Sequence, residues 1–263
     1  MLWLQWLGIE KFLLFTLVLT RVSGLVLTAP VFGGQDVPQR VRALFAFSIA
    51  LLILPTQWHV PVAHPGTTLN YLVFLGAELM VGLCLGFGIV VLFSGLQLAG
   101  ALIGRLGGLM LADVFDPATG TEVPLFSRLL FLVGLAVFVC IGGHRMVMAA
   151  LLDTFAALPP GGGSLPPSLP DAFVTLLSQS FMLGVRAAMP LVVALLLSTL
   201  ILGLIGRTMP QLNVLIIGFG LNSMLTFALL SFTLGAAVWA FQDQVEPTLE
   251  TIIDAVAGGW YAG

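Results

Sequence analysis

Charge is what this chain of 263 residues has least of. It carries 9 Lys and Arg and 12 Asp and Glu, so charged residues are 8% of the sequence, where soluble domains average about 25%. A water-facing surface of ordinary composition is excluded. The few basic residues form no patch for nucleic acid, and the net charge of -3 says little about partners. Only 2 cysteines and 3 histidines are present. Cys84 and Cys140 both fall inside apolar runs and read as small buried hydrophobes rather than a disulfide or a metal pair. His59 and His64 lie in a proline-rich loop without an acidic or cysteine companion, which is loop chemistry and not a zinc site. His144 follows Gly142 and Gly143 near a segment end, where a helix-terminal role fits it. There is no Gly-x-Ser-x-Gly elbow, phosphate loop or His-Glu-x-x-His. The residues therefore point to no catalytic site, no metal and no cofactor. No basic region precedes the first apolar run, since Glu10 comes before Lys11 and Arg21 interrupts it, so a cleavable signal peptide is not expected.

What is present in excess is apolar length. Hydrophobic residues make up 59% of the chain. Leu69 to Gly104 holds a single charge, Glu78; Phe173 to Gly206 holds only Arg186; Thr208 to Gln242 holds none. Charge-poor runs beyond about 18 residues are candidates for lipid-embedded helices. A helix of about 35 residues reaches about 50 Å, well over a hydrocarbon core of ~30 Å. Such helices must kink, double back, or continue beyond the bilayer inside other protein. The expected fold is all-α, one membrane domain of about six segments: Phe12–Phe32, Val41–Leu54, Leu69–Ile103, Leu125–Ile141, Ala172–Ile205 and Leu212–Phe241. Val41–Leu54 is short for a span and pairs naturally with the first segment as a hairpin. Leu158 to Pro170, LPPGGGSLPPSLP, reads as an exposed loop, and Pro190 as a kink in the fifth segment.

Arg40 and Arg42 in the first loop, Arg105 and Arg128 flanking the third, and Arg207 in the fifth place the odd loops on the cytoplasmic side and both termini outside. Gly82 and Gly86 are four residues apart, as are Gly100, Gly104 and Gly108. That spacing puts each set on one helix face, suited either to general membrane-helix packing or to a close helix–helix contact.

Three charges stand inside apolar segments: Arg21, Glu78 and Arg186. A lone charge at the bilayer centre costs at least ~2.5–3.5 kcal/mol, so each is expected to be buried against protein or water. Either an Arg–Glu pair orders the helices, or the charges form a polar patch in a conduit or subunit joint. The third loop is apolar for a loop. It opens on Gly107 and Gly108, continues through Leu109, Met110, Val114 and Phe115, and turns at Asp116 and Pro117. It reads as an interfacial loop dipping into headgroups, or as a plug that seals a narrow passage with deformable side chains.

Several stretches together resemble one family. They are Arg21-Val-Ser-Gly-Leu, Ala29-Pro-Val-Phe-Gly33, Pro38-Gln-Arg-Val-Arg42, Glu78 with its following glycines, Phe115-Asp-Pro117, Gly143-His144, Gly206-Arg-Thr-Met-Pro-Gln-Leu-Asn213 and Gly218-Phe219. In this order they resemble the FliR/SctT family of the bacterial type III export gate, its flagellar branch ahead of its injectisome branch. The likeness runs from about residue 12 to about residue 242. Two departures stand out: Gly218-Phe-Gly-Leu-Asn222 lacks the family's Pro and Lys, and Leu106-Gly107-Gly108 replaces a more polar loop start. The resemblance implies a FliP-like portion over about 1–189 and a FliQ-like helical pair over about 190–263. It implies FliP-like, FliQ-like and FlhB-like partner subunits, membrane lipid around the complex, and unfolded export substrates in transit. It also implies a place in the inner membrane at the flagellar basal body, no cofactor, and a turn at Pro210, Gln211 and Asn213 that contacts neighbouring subunits. The rival from another class is a small secondary transporter using Glu78 and Arg186. That reading wants paired broken helices in the two halves, and only Pro190 offers one.

Overall fold

The computed structural model describes residues 2–33, 37–60, 66–107, 114–116, 121–162, 168–209, 211 and 213–257. In chain order the elements are α1 (Leu2–Thr28), α2 (Pro30–Gly33), α3 (Gln39–Ile53) with a 3-10 turn at Leu54–Gln57, α4 (Thr68–Leu106), β1 (Val114–Asp116), β2 (Thr121–Val123), α5 (Leu125–Cys140), α6 (Gly143–Ala157), α7 (Leu169–Thr208) and α8 (Val214–Ala257). Among the described residues the fold is all-α apart from one short antiparallel ribbon in the third loop, which pairs Val114 with Val123 and Asp116 with Thr121. Among the described residues five helical stretches are long and apolar enough to cross a membrane: Glu10–Thr28, Gln39–Gln57, Thr68–Leu106, Leu169–Thr208 and Ile216–Val256. Helices α5 and α6 qualify only together, as a bent pair. The chain is an all-α membrane protein.

Several sequence expectations change. The second segment is not short, because the 3-10 turn extends α3 to a stretch of 19 residues. Helix α6 was not expected at all; Gly142, in the left-handed region at φ +79°, breaks the chain and starts it afresh. Helix α8 runs past Phe241 to Ala257, with Pro247 inside it. Leu249, Ile252 and Val256 are buried in this extension, a spacing that keeps one helix face on a core. Pro190 likewise lies within a continuous α7.

The chain forms two compact units, each from separate stretches. The first comprises residues 1–91, 142–176 and 246–263. Its core joins Leu17, Val22 and Leu25 of α1 to Val81 and Leu85 of α4, Val147 and Leu151 of α6, and Ile252 of α8. The second comprises residues 92–141 and 177–245. There Phe93 is ringed by Phe131, Phe138 and Phe241, with ring centroids 5.4, 5.7 and 5.2 Å away. Within a close-packed core such tilted and edge-on aromatic contacts each add about 0.5–1.5 kcal/mol beyond area burial.

Candidate functional site

Arg21 and Glu78 form the most constrained polar site among the described residues. Arg21 lies on α1 and is 0% exposed; Glu78 lies on α4 and is 2% exposed. The Arg21 Nε–H donates to Glu78 Oε2 at 2.6 Å. Nη1 donates to the Thr154 carbonyl at 2.9 Å and reaches its hydroxyl at 3.4 Å, and Nη2 donates to the Leu158 carbonyl at 2.9 Å. These acceptors belong to the last turn and C-terminal cap of α6, where unpaired carbonyls gather negative potential that favours a cation. The Phe155 ring lies under the guanidinium at 4.2 Å. The second carboxylate oxygen of Glu78 accepts the Gly161 N–H at 2.9 Å. Gly161 holds φ +84°, an angle that a side chain would strain. One ion pair thus ties α1, α4, α6 and the loop after α6, and satisfies backbone groups that α6 leaves open.

The expected Arg–Glu pair is therefore made, and its partner is Arg21. Arg186 does not join it: this residue is exposed, lining a groove of about 420 Å³ between α7 and α8 with Gln179, Trp239 and Asp243. Its expected burial is not met among the described residues of this chain. Thr154, Leu158, Phe155 and Gly161 were not singled out from the sequence. Their signal was the Pro-Pro-Gly run, which marks a helix end. That loop is not wholly exposed as expected, because Pro160 and Gly161 are buried. Cys84 is buried as expected, but Cys140 is exposed.

The glycine spacing proves to be a close crossing inside the chain. A Cβ on Gly82 would collide with the Arg21 carbonyl oxygen, and one on Gly86 with the Thr28 side chain. At Gly82 the backbones of α1 and α4 are thus too close for a side chain. In the other unit a Cβ on Gly100 would strike the Phe126 backbone.

Of the expected plug, Gly107 is described and buried, its amide bonded to the Ile103 carbonyl at 2.8 Å, closing α4. A Cβ there would sit 2.7 Å from Thr226 Oγ1, so the position demands space. Val114, Phe115 and Asp116 form β1. Gly108, Leu109, Met110 and Pro117 lie outside the described residues, as does Pro210 in the expected contact turn. Gln211 is exposed. Asn213 caps α8, its Oδ1 accepting the Ile216 N–H at 3.3 Å. Asn222, where the family pattern has a basic residue, accepts a hydrogen bond from the Ser198 hydroxyl at 2.6 Å and so joins α7 to α8. His144 sits in the first turn of α6, and His59 is exposed in a turn; His64 is not among the described residues. No group of three or more His, Cys, Asp or Glu able to hold a metal occurs among the described residues.

Long apolar helices and a closed internal ion pair define an integral membrane protein. Residues 12–248 match the family of bacterial export proteins, family 1, and the chain belongs to that family. It is similar to the flagellar biosynthetic protein FliR of Escherichia coli (strain K12), 32% identical over 87% of this chain and 85% of that protein. The FliR protein of Aquifex aeolicus (strain VF5) is 32% identical over 86% and 87%. That of Bacillus subtilis (strain 168) is 28% identical over 95% and 96%.

Proposed function

We propose that this chain is a structural and gating subunit of the flagellar type III protein export channel, through which unfolded substrate proteins cross the bacterial inner membrane at the flagellar basal body. The observation that carries the export reading is the family match across residues 12–248. The uncovered helices support assembly with other subunits: only 28% of the most apolar window of α7 and 22% of that of α8 is buried, against 61% for α4. FliP-like and FliQ-like subunits would cover these faces, with an FlhB-like subunit on the same assembly. In this reading residues 1–189 are the FliP-like portion and 190–263 the FliQ-like helical pair. The turn at Pro210, Gln211 and Asn213 meets a neighbouring subunit. The chain does no catalysis and needs no cofactor; other components supply the energy.

The gate is the third loop. It follows a buried Gly107 and folds back as the ribbon β1–β2, whose strands satisfy part of their own backbone, a requirement for irregular chain at membrane depth. Leu109, Met110, Val114 and Phe115 supply an apolar seal. Deleting Leu109–Phe115 is expected to leave the complex assembled but leaky to small ions while substrate secretion continues. The measurement is membrane potential in cells alongside secretion of an export substrate. A deletion that assembles normally and shows no leak would overturn the gate assignment, leaving this loop as an interfacial segment.

A further inference from the structure

The groove of about 420 Å³ between α7 and α8 lies wholly in the second unit, and its two ends differ. Near the turn that joins the helices, the Ser198 hydroxyl of α7 bonds Asn222 of α8. Further from that turn, residues 178–186 line the groove with residues 239–244. The helices therefore run antiparallel, which sets Arg186 level with Trp239, and Ser178 and Gln179 level with Asp243 and Gln244. Gln179 and Arg186 are seven residues apart, two turns and about 10 Å along one face of α7. Arg186 and Asp243 are both exposed, and among the described residues neither has an ion pair or a hydrogen bond. Gln179 Oε1 is buried without a donor among those residues, whereas Gln244 has a partner of its own. One end of the groove is thus cationic and offers donors only; the other presents a carboxylate and an open amide oxygen. The surface around it is apolar, with Phe181 61% exposed and Trp239 69%.

We propose that this groove receives an apolar helix of a neighbouring subunit. That helix sets an Asp or Glu against Arg186 and, about two turns away on the same face, a basic or amide side chain against Asp243 and Gln179. The order of the polar groups decides the occupant. A hydrocarbon chain answers none of them. A phosphate meets Arg186 but is repelled by Asp243. In a zwitterionic headgroup a two-carbon bridge holds phosphate and amine too close together to reach both ends of a slot about 10 Å long. A helix repeats the two-turn spacing of α7, satisfies its own backbone, and brings apolar side chains to the exposed aromatic rims. Complementary charges across such a contact fix its register and exclude wrong partners. This contact presupposes the export complex proposed above and adds the side chains that one of its subunits must carry.

The test uses the full chain in its complex, with Met182, which lines the groove and is 49% exposed, replaced by the photoreactive residue p-benzoylphenylalanine. The complex is illuminated in membranes and purified by a tag on this chain, and the crosslinked peptide is mapped by mass spectrometry. The expected product is an apolar peptide of another subunit with an Asp or Glu and, seven or eight residues from it, a Lys, Arg, His, Asn or Gln. Arg186→Glu should lower the crosslink per chain at least about tenfold, because a charge pair between subunits becomes a repulsion. Arg186→Lys should keep it. Changing the mapped acid of the partner to Arg should restore the crosslink to Arg186→Glu, which a general loss of folding would not allow. A crosslink to lipid, to a second copy of this chain or to a peptide without an acid overturns the proposal. So does a charge exchange that fails to restore it, or no crosslink at all. If substrate is still secreted by the complex in those cases, the site falls and the export reading stands; if no subunit accompanies the chain, both fall.

Discussion

Removing Glu78 tests whether the ion pair organises the first unit. In Glu78→Ala the Arg21 guanidinium stays at 0% exposure and loses its 2.6 Å charge-assisted bond. The Gly161 N–H loses its acceptor as well. Breaking a buried pair from one side costs about 3–5 kcal/mol because the other charge is left uncompensated. Arg21 keeps the Thr154 and Leu158 carbonyls, so the lower end, about 3 kcal/mol, is expected. Arg21→Met removes the cation and leaves the Thr154 and Leu158 carbonyls at the end of α6 without their donor, so it should be damaging as well.

The double variant Arg21→Met with Glu78→Ala leaves no buried charge. It should recover about 1–2 kcal/mol relative to the sum of the singles, since replacing a buried pair by apolar groups is often close to neutral. The assay is the yield of chain extracted in mild detergent, together with the temperature at which half the extracted complex aggregates, for all four members of the cycle. Strictly additive losses would refute the reasoning, as would Glu78→Ala behaving like the parent. Arg186→Met with Glu78→Ala supplies the control: the bonds of Glu78 go to Arg21 and Gly161, so that pair should be additive.

Produced alone, the chain should be degraded or aggregated, and co-expression with FliP-like and FliQ-like subunits should rescue it; a stable, monodisperse lone monomer would contradict the assembly reading. Gly82→Val should reduce yield more than Gly76→Val, because Gly82 meets the Arg21 carbonyl whereas nothing lies within 4 Å of a Cβ at Gly76; overpacking costs about 1–3 kcal/mol, and equal yields would remove the close crossing. Asn213→Ala should cost about 1 kcal/mol through the lost cap of α8, read as a lower aggregation temperature, and Asn213→Ser should restore most of it. Arg186→Leu should raise the yield of chain if that face of α7 meets lipid and lower it if the groove meets protein or water; the second outcome is expected.

Much of the architecture could be read from charge alone. Charge-poor runs located every long helix, because in this chain apolar length and helix are nearly the same thing. Helix α6 escaped because it is short and carries His144, Arg145 and Asp153, so no charge-free run marks it. The end of α8 escaped for the opposite reason: polar residues on an open face mask the apolar positions that stay buried, as at Leu249, Ile252 and Val256. The ion pair was legible as a necessity, since Arg21 and Glu78 are too costly to bury singly. Its geometry was not, because three of its five bonds end on backbone carbonyls or an amide, and a sequence does not print which backbone groups are left open. The same limit applies to Gly82, where the spacing suggested a contact without saying with what.

These two kinds of polar feature divide the chain by what completes them. Arg21 and Glu78 are answered within the first unit, bond for bond, and need no partner to be stable there. Arg186 is the eighteenth residue of a forty-residue helix, far from either end, and it lies exposed beside Gln179, whose Oε1 is buried with no hydrogen-bond partner. Lipid can satisfy neither group, because a charge near the middle of a span costs ~2.5–3.5 kcal/mol or more and a buried amide oxygen without a donor costs about 1–3 kcal/mol. The apolar stretches of α7 and α8 want apolar cover; this groove wants polar cover. It needs polar protein or water against it, and a chain that leaves such a groove open on a membrane helix is built to be finished by its neighbours.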